Sequence, residues 1–175
     1  GTLKERLGKL TGGIAKLTVV GSSHGEIREK KDRAEDAACA VRGAIKHGAL
    51  PGGCWTFAKL VQCLHSDFKD EKSLNRDVVY EVLVPALEIP FHKLLLNCGF
   101  SDEEYVETYR DLWHRLDSDK PVIFDAMGQT FVEARDAGVM DSTPAVLEAL
   151  RNSISIASLL GTLGGAIVFP RDIDL

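Results

Sequence analysis

No run of about 18 apolar residues, the least that spans a bilayer as a helix, occurs in this 175-residue chain. A membrane partner is therefore not expected. Positive charge is also short: 21 Lys and Arg face 26 Asp and Glu, for a net charge of -5. A nucleic-acid surface needs a clustered basic stripe, and none is present. Cysteine is limited to Cys39, Cys54, Cys63 and Cys98, with no C-x-x-C pair. The histidines His24, His47, His65, His92 and His114 are scattered, without ligand spacing to one another or to the cysteines. No metal site is expected from that pattern, and cysteines placed within predicted helices as small apolar residues suit a reducing compartment. Internal repeats and low-complexity tracts are absent as well.

What is present centres on Glu29–Gly53, EKKDRAEDAACAVRGAIKHGALPGG. Ile27, Ala34, Ala38, Val41 and Ile45 fall at helical spacing on one face. At about 100° per residue, Asp36 points away from that face, in line with Ala40 and Gly43. A glycine inside a helix costs about 1 kcal/mol against alanine, so close packing or binding is expected along that strip. From spacing alone, Asp36 reads first as a solvated carboxylate paired with Arg33 one turn back.

In chain order, Thr2–Leu10 reads as an amphipathic helix ended by Gly12-Gly13, and Ile14–Val20 as a β-branched strand. Ser23 and Glu26 form a capping-box pattern for a helix running to His47. Pro51-Gly52-Gly53 is a turn before a helix at Trp55–Leu64, and His65–Arg76 is a polar loop. A long apolar helical region follows to Leu96, broken by Pro85 and Pro90. Ser101 and Glu104 cap a helix to about Leu116. Val122–Phe124 and Thr130–Val132 are short strands about the turn Asp125–Gly128, followed by a short helix to Ala137. Thr143-Pro144 starts a last helix that buries Leu147, Leu150, Ile154 and Ala157 and stops at Gly164-Gly165. Ala166–Phe169 closes the chain as a strand.

The run EKKDRAEDA, then VRGAI, Gly48 and PGG, resembles the group I chaperonins, the GroEL family. LKERLGKLTGGIAKLTVVG, LLLNCG and FDAMGQTFVEARDAGVMDST follow that family in order, so the resemblance covers nearly the whole chain. It implies a mainly α fold: a chaperonin equatorial-type helical domain with small β hairpin and strand elements, plus part of the intermediate hinge domain. Residues 1–14 then correspond to the end of the apical domain and 15–47 to the C-terminal half of the intermediate domain. Residues 48–175 correspond to the C-terminal half of the equatorial, ATP-binding domain.

The resemblance also implies roles for particular residues. Asp36 would position and polarise the water that attacks the terminal phosphate of ATP. Gly52 and Gly53 would line ribose and adenine, with Cys54 where the family usually has a third glycine. Asp125, Ala126 and Met127 would hold the adenine edge, and Asp141 the ribose hydroxyls, followed by Ser142 where the family has proline. Read without the resemblance, Pro-Gly-Gly is an ordinary interhelical turn, Asp125 belongs to a plain hairpin turn, and Asp141 caps a helix. The implied cofactors are ATP and Mg2+, with the magnesium ligand outside this chain. The implied partners are a homo-oligomeric ring, unfolded protein clients and a co-chaperonin, in the cytoplasm or in a mitochondrial or plastid matrix. The alternative is a chaperonin-derived structural or adaptor protein without ATPase activity, and a more distant one an unrelated helical nucleotide-binding module.

Phosphoryl transfer needs a phosphate cradle and a bridging metal. The family's Gly-Thr-Thr loop and magnesium-binding aspartate have no match in these 175 residues. This chain by itself is therefore expected neither to bind ATP tightly nor to hydrolyse it. Calorimetric titration that detects micromolar, magnesium-dependent binding would contradict this.

Overall fold

A computed structural model describes Leu3, Leu10 and residues 15–165, apart from residues 71 and 73. Of the expected N-terminal helix, Leu3 and Leu10 are described, both helical and exposed; its other residues, its Gly12-Gly13 stop and the closing strand Ala166–Phe169 lie outside the described residues. The chain divides into two units, Gly1–Val41 and Arg42–Leu175.

In the first unit, residues 15–20 form no strand. A strand exists only when its backbone groups are paired, and among the described residues no segment pairs with this one. Helix α1, His24–His47, begins in this unit and ends in the second. Its start follows the capping pattern with a one-residue offset. The Glu26 amide donates to Ser23 Oγ at 3.2 Å, while the Glu26 carboxylate accepts from the Ser22 amide at 2.7 Å. Lys30 and the Ser22 amide together hold the Glu26 carboxyl below its usual range. The face expected to be buried is largely open, with Val41 58% and Ile45 80% exposed. Spacing sets which side chains share a face, but burial needs a covering surface, and the described residues supply none.

In the second unit, α1 stops at Gly48, whose positive φ of 89° suits glycine. Strand β1, Ala49–Pro51, leads through the Gly52-Gly53 turn into α2, Trp55–Asp67. Helix α3, Leu74–Val78, passes through a π-helical turn at Val79–Leu83 into α4, Val84–Asn97. Helix α5, Asp102–Arg115, precedes strands β2, Val122–Asp125, and β3, Thr130–Glu133. Strand β4, Met140–Ser142, runs directly into α6, Thr143–Gly161. The antiparallel pairs are β1 with β4 and β2 with β3.

Several expectations are corrected here. Pro85 and Pro90 do not break the helix. Pro85 occupies the first turn of α4, and just before it the Val84 amide bonds the Val79 carbonyl, five residues back. That wide turn relaxes the ladder where a proline ring would crowd the preceding carbonyl. The expected loop at His65–Arg76 is partly helical at both ends, because polar helix termini look like loops in composition. The expected short helix to Ala137 is a series of turns, closed by Gly138 at φ 68° before the chain extends into β4. The expected buried face of α6 is also open: Leu147 is 53% and Ile154 51% exposed, Ala157 is exposed, and Val146 is its one buried residue among those described.

The core lies between α2, α4, α5 and β2. Ala58, Phe91, Leu95, Leu112, Leu116 and Phe124 form its main cluster, and Val61, Val79 and Val84 a second, with Trp113 packed against both. Phe124 meets Phe91, Phe100 and Phe131 edge-to-face, with centroids 6.2, 5.7 and 5.6 Å away. That is the favourable geometry for aromatic quadrupoles. The capping box at Ser101 and Glu104 is formed as expected. Leu95→Ala is expected to cost about 2–5 kcal/mol in urea unfolding of this chain. Leu147→Ala should stay within about 0.5 kcal/mol, as for a surface site. Equal losses would contradict the placement of the core.

Candidate functional site

Gly43 was expected to mark close packing or binding, and the neighbour is protein. A Cβ at Gly43 would stand 2.5 Å from Ser142 Oγ and 3.0 Å from Pro144 Cγ. The last turns of α1 therefore seat directly on the β4–α6 junction. The Thr143 amide also donates to the Gly48 carbonyl at 3.2 Å.

The next residues are held by the same junction. Leu50 pairs with Asp141 in the β1–β4 ladder, and the Gly52 amide donates to the Val139 carbonyl at 3.0 Å. A Cβ at Gly52 would lie 3.0 Å from that carbonyl oxygen. Gly53 has a φ of 58°, and a Cβ there would lie 3.2 Å from the Phe124 carbonyl oxygen. Both glycines are thus required by the protein's own backbone packing. Together they join the start of α2 to β4 on one side and to the end of β2 on the other.

Cys54 carries the feature that sequence reasoning missed. It has φ 64° and ψ 5°, so two left-handed residues follow one another at the α2 N-terminus. A side chain in that region costs roughly 1–2 kcal/mol. A cysteine thus occupies a backbone conformation that favours glycine. The signal available in the sequence was the cysteine itself, directly after paired glycines. Burial, and then the charge of nearby Asp141, push the Cys54 thiol up to about 11.

Asp141 is half-buried, and burial raises its carboxyl above the usual range. It does not cap α6: the capping position is Ser142, and Asp141 is one residue earlier in β4. Among the described residues no side chain hydrogen-bonds its carboxylate. Asp125 is different. Its two carboxylate oxygens accept from the Met127 and Gly128 amides at 3.0 and 3.1 Å, so the side chain is used in bracing its own hairpin turn. Ala126 is half-buried and Met127 is 94% exposed.

Gly52, Gly53, Asp141 and the Asp125–Met127 turn are therefore gathered through the β1–β4 ladder and the Gly53–Phe124 contact. Asp36 belongs to the first unit and is exposed. The pairing with Arg33 expected on the salt-bridge reading is not formed, because Arg33 pairs with Glu29. Among the described residues no group of His, Cys, Asp and Glu could hold a metal ion, and no helix is long and apolar enough to cross a membrane.

This arrangement is a mainly helical domain in which two small antiparallel ladders hold a glycine turn at a helix start. Residues 5–162 match the TCP-1/cpn60 chaperonin family model, and the chain belongs to that family. It is 35% identical over 173 residues to a mitochondrial chaperonin HSP60 of Trypanosoma cruzi, covering 97% of this chain and 30% of that protein. It is 36% identical over 167 residues to a chaperonin GroEL of Neorickettsia risticii, covering 95% of this chain and 29% of that protein. A crystal structure of a group III chaperonin in the open state superposes with a TM-score of 0.70 at 26% identity, covering 89% of this chain and 32% of that one. The chain thus spans about 30% of the length of the curated relatives it matches. Both the family and the mainly helical fold implied by the resemblance stand.

A carboxyl raised on folding favours its protonated form in the fold. Its stabilising contribution is complete below the unfolded value and is lost as the pH rises through the folded one. Asp141→Asn is therefore expected to raise the unfolding midpoint at pH 7, and the gain should vanish below about pH 4, the ordinary aspartate range. In wild type at pH 8, iodoacetamide should label exposed Cys39 and Cys63 well before Cys54. Cys54 should react somewhat faster in Asp141→Asn, since burial, the larger cause, then raises its thiol without the added charge. Mass spectrometry of the labelled peptides checks both statements.

Proposed function

We propose that this chain supplies one wall of the nucleotide site in an ATP-dependent ring chaperonin that encloses and folds other proteins. The observation that carries the reading is the gathering of Gly52, Gly53, Asp141 and the Asp125–Met127 turn in one unit. In this reading residues 1–14 end the apical domain, 15–47 return through the intermediate domain, and 48–175 complete the equatorial domain.

The residues fit a nucleotide. A half-buried carboxylate without a side-chain partner among the described residues suits vicinal ribose hydroxyls, which would supply the missing donors. Helix α2 begins with no side chain capping it, and an uncapped helix start is favourable to anionic ligands. Cys54 keeps the glycine-like backbone at this turn, which supports retention of the site over its loss. ATP, when bound with Mg2+, supplies the phosphoryl group that is transferred to water. The phosphate cradle and the magnesium ligand would come from outside these 175 residues. Asp36, solvent-facing on α1, would hold and polarise the attacking water. Ring partners, unfolded clients and a co-chaperonin belong to the same proposal.

The test separates the two acids in the full-length protein. Asp36→Ala should leave ATP affinity almost unchanged and slow single-turnover hydrolysis by about a hundredfold, the scale of positioned acid–base help. Asp141→Ala should instead weaken nucleotide binding, because a ribose contact acts in ground and transition states alike. If Asp36→Ala lowers affinity and leaves the single-turnover rate intact, Asp36 is not the water-activating acid.

A further inference from the structure

The hairpin turn at Asp125–Gln129 is tied to a second element that carries none of the proposed site residues. Gln129, the last residue of the turn, has a φ of 49°, left-handed although it is not glycine. Its Nε2 donates to the carbonyl of Cys98 at 3.4 Å. In return the Cys98 thiol donates to the carbonyl of Ala126 at 3.8 Å. Cys98 closes α4, in the Asn97-Cys98-Gly99 segment where Gly99 turns the chain at φ 90°. Phe100, two residues on, packs edge-to-face on Phe124, which directly precedes the turn of the same hairpin.

We propose that Gln129 and Cys98 are positioning residues for the base-binding turn. The inference rests on the reading above that Asp125–Met127 holds the adenine edge. Asp125 braces the turn internally through the Met127 and Gly128 amides, which fixes its shape but not its place. Phe124 anchors the strand behind the turn, and the reciprocal Gln129–Cys98–Ala126 bridge to the end of α4 holds the turn itself from outside. Each bond is long and therefore weak, so its loss leaves the core packing of α4 untouched. What is lost is the register of Ala126 and Met127 against a bound base. The left-handed backbone at Gln129 is retained for the reach it gives the amide, since glycine would hold that conformation at less cost.

The experiment compares ATP with ribose 5-triphosphate, which lacks the base, as ligands of the full-length protein. Variants are Gln129→Ala, Gln129→Gly, Cys98→Ala and Cys98→Ser. Gln129→Gly keeps the left-handed backbone and removes the amide, while Cys98→Ser keeps a donor. The expected result is a loss of about three- to tenfold in ATP affinity for Gln129→Ala, Gln129→Gly and Cys98→Ala, the range of one or two modest hydrogen bonds. Affinity for ribose 5-triphosphate, the thermal midpoint and kcat should hold, so that the effect falls on KM alone. Cys98→Ser should bind ATP nearly as wild type does. If wild type prefers ATP but the variants keep their ATP affinity, or lose both ligands equally, the positioning role is wrong. If wild type fails to distinguish the two ligands, the reading of the turn as a base contact fails first, and this inference fails with it.

Discussion

Backbone approaching backbone at Gly52 and Gly53 is the constraint on which the second unit depends. At Gly52 the chain lies so near the Val139 carbonyl that a methyl group would stand 3.0 Å from its oxygen, and at Gly53 the Phe124 carbonyl is nearly as close. Contacts of this kind leave no room for adjustment, because neither partner is the free end of a side chain. They fix β4 beside β1, set the start of α2 against β2, and so decide where Asp141 stands. The same closeness continues up α1, where Gly43 rests on Ser142 and Pro144. Three glycines within eleven residues thus act as the seat for two helices and a strand. The aromatic cluster about Phe124 supplies apolar burial beneath them, while the glycines supply position.

Features written in a few neighbouring residues were legible in the sequence. Ser101 and Glu104 declare a helix start by themselves, and the α5 cap forms as read. The hairpin of β2 and β3 was visible because its strands carry β-branched and aromatic residues about a turn. The β1–β4 ladder was not, since three-residue strands containing Pro51 and Asp141 are too short to show alternation. Faces were less legible than helices. The apolar stripes of α1 and α6 were recognised, yet Val41, Ile45, Leu147 and Ile154 stand open. A stripe says where a surface would pack, and the stripe alone does not say whether one does.

The candidate site divides along the same line. Its residues came from resemblance to a family, and that resemblance holds over residues 5–162. Their gathering came from pairing between segments some ninety residues apart, which no local pattern encodes. Two chemical details lay beyond either source. Asp125 is occupied in bracing its own turn, and Cys54 holds a glycine conformation with a thiol pushed to high pKa beside Asp141. Each follows from neighbours in space.

The widened turn at Val79–Leu83 changes the angular phase of the helical run that contains it. Five residues of ordinary α-helix advance by about 500°, which would place Val79 and Val84 roughly 140° apart around the axis. Both are buried in the same cluster, against Val61. The extra residue in the turn resets the screw, so that the apolar stripe of α4 and the residue that opens the turn share one side. A helix of uniform pitch would have to choose between them. The irregularity works as a phase corrector, joining two stretches of sequence whose hydrophobic patterns are out of step and letting both face the same core.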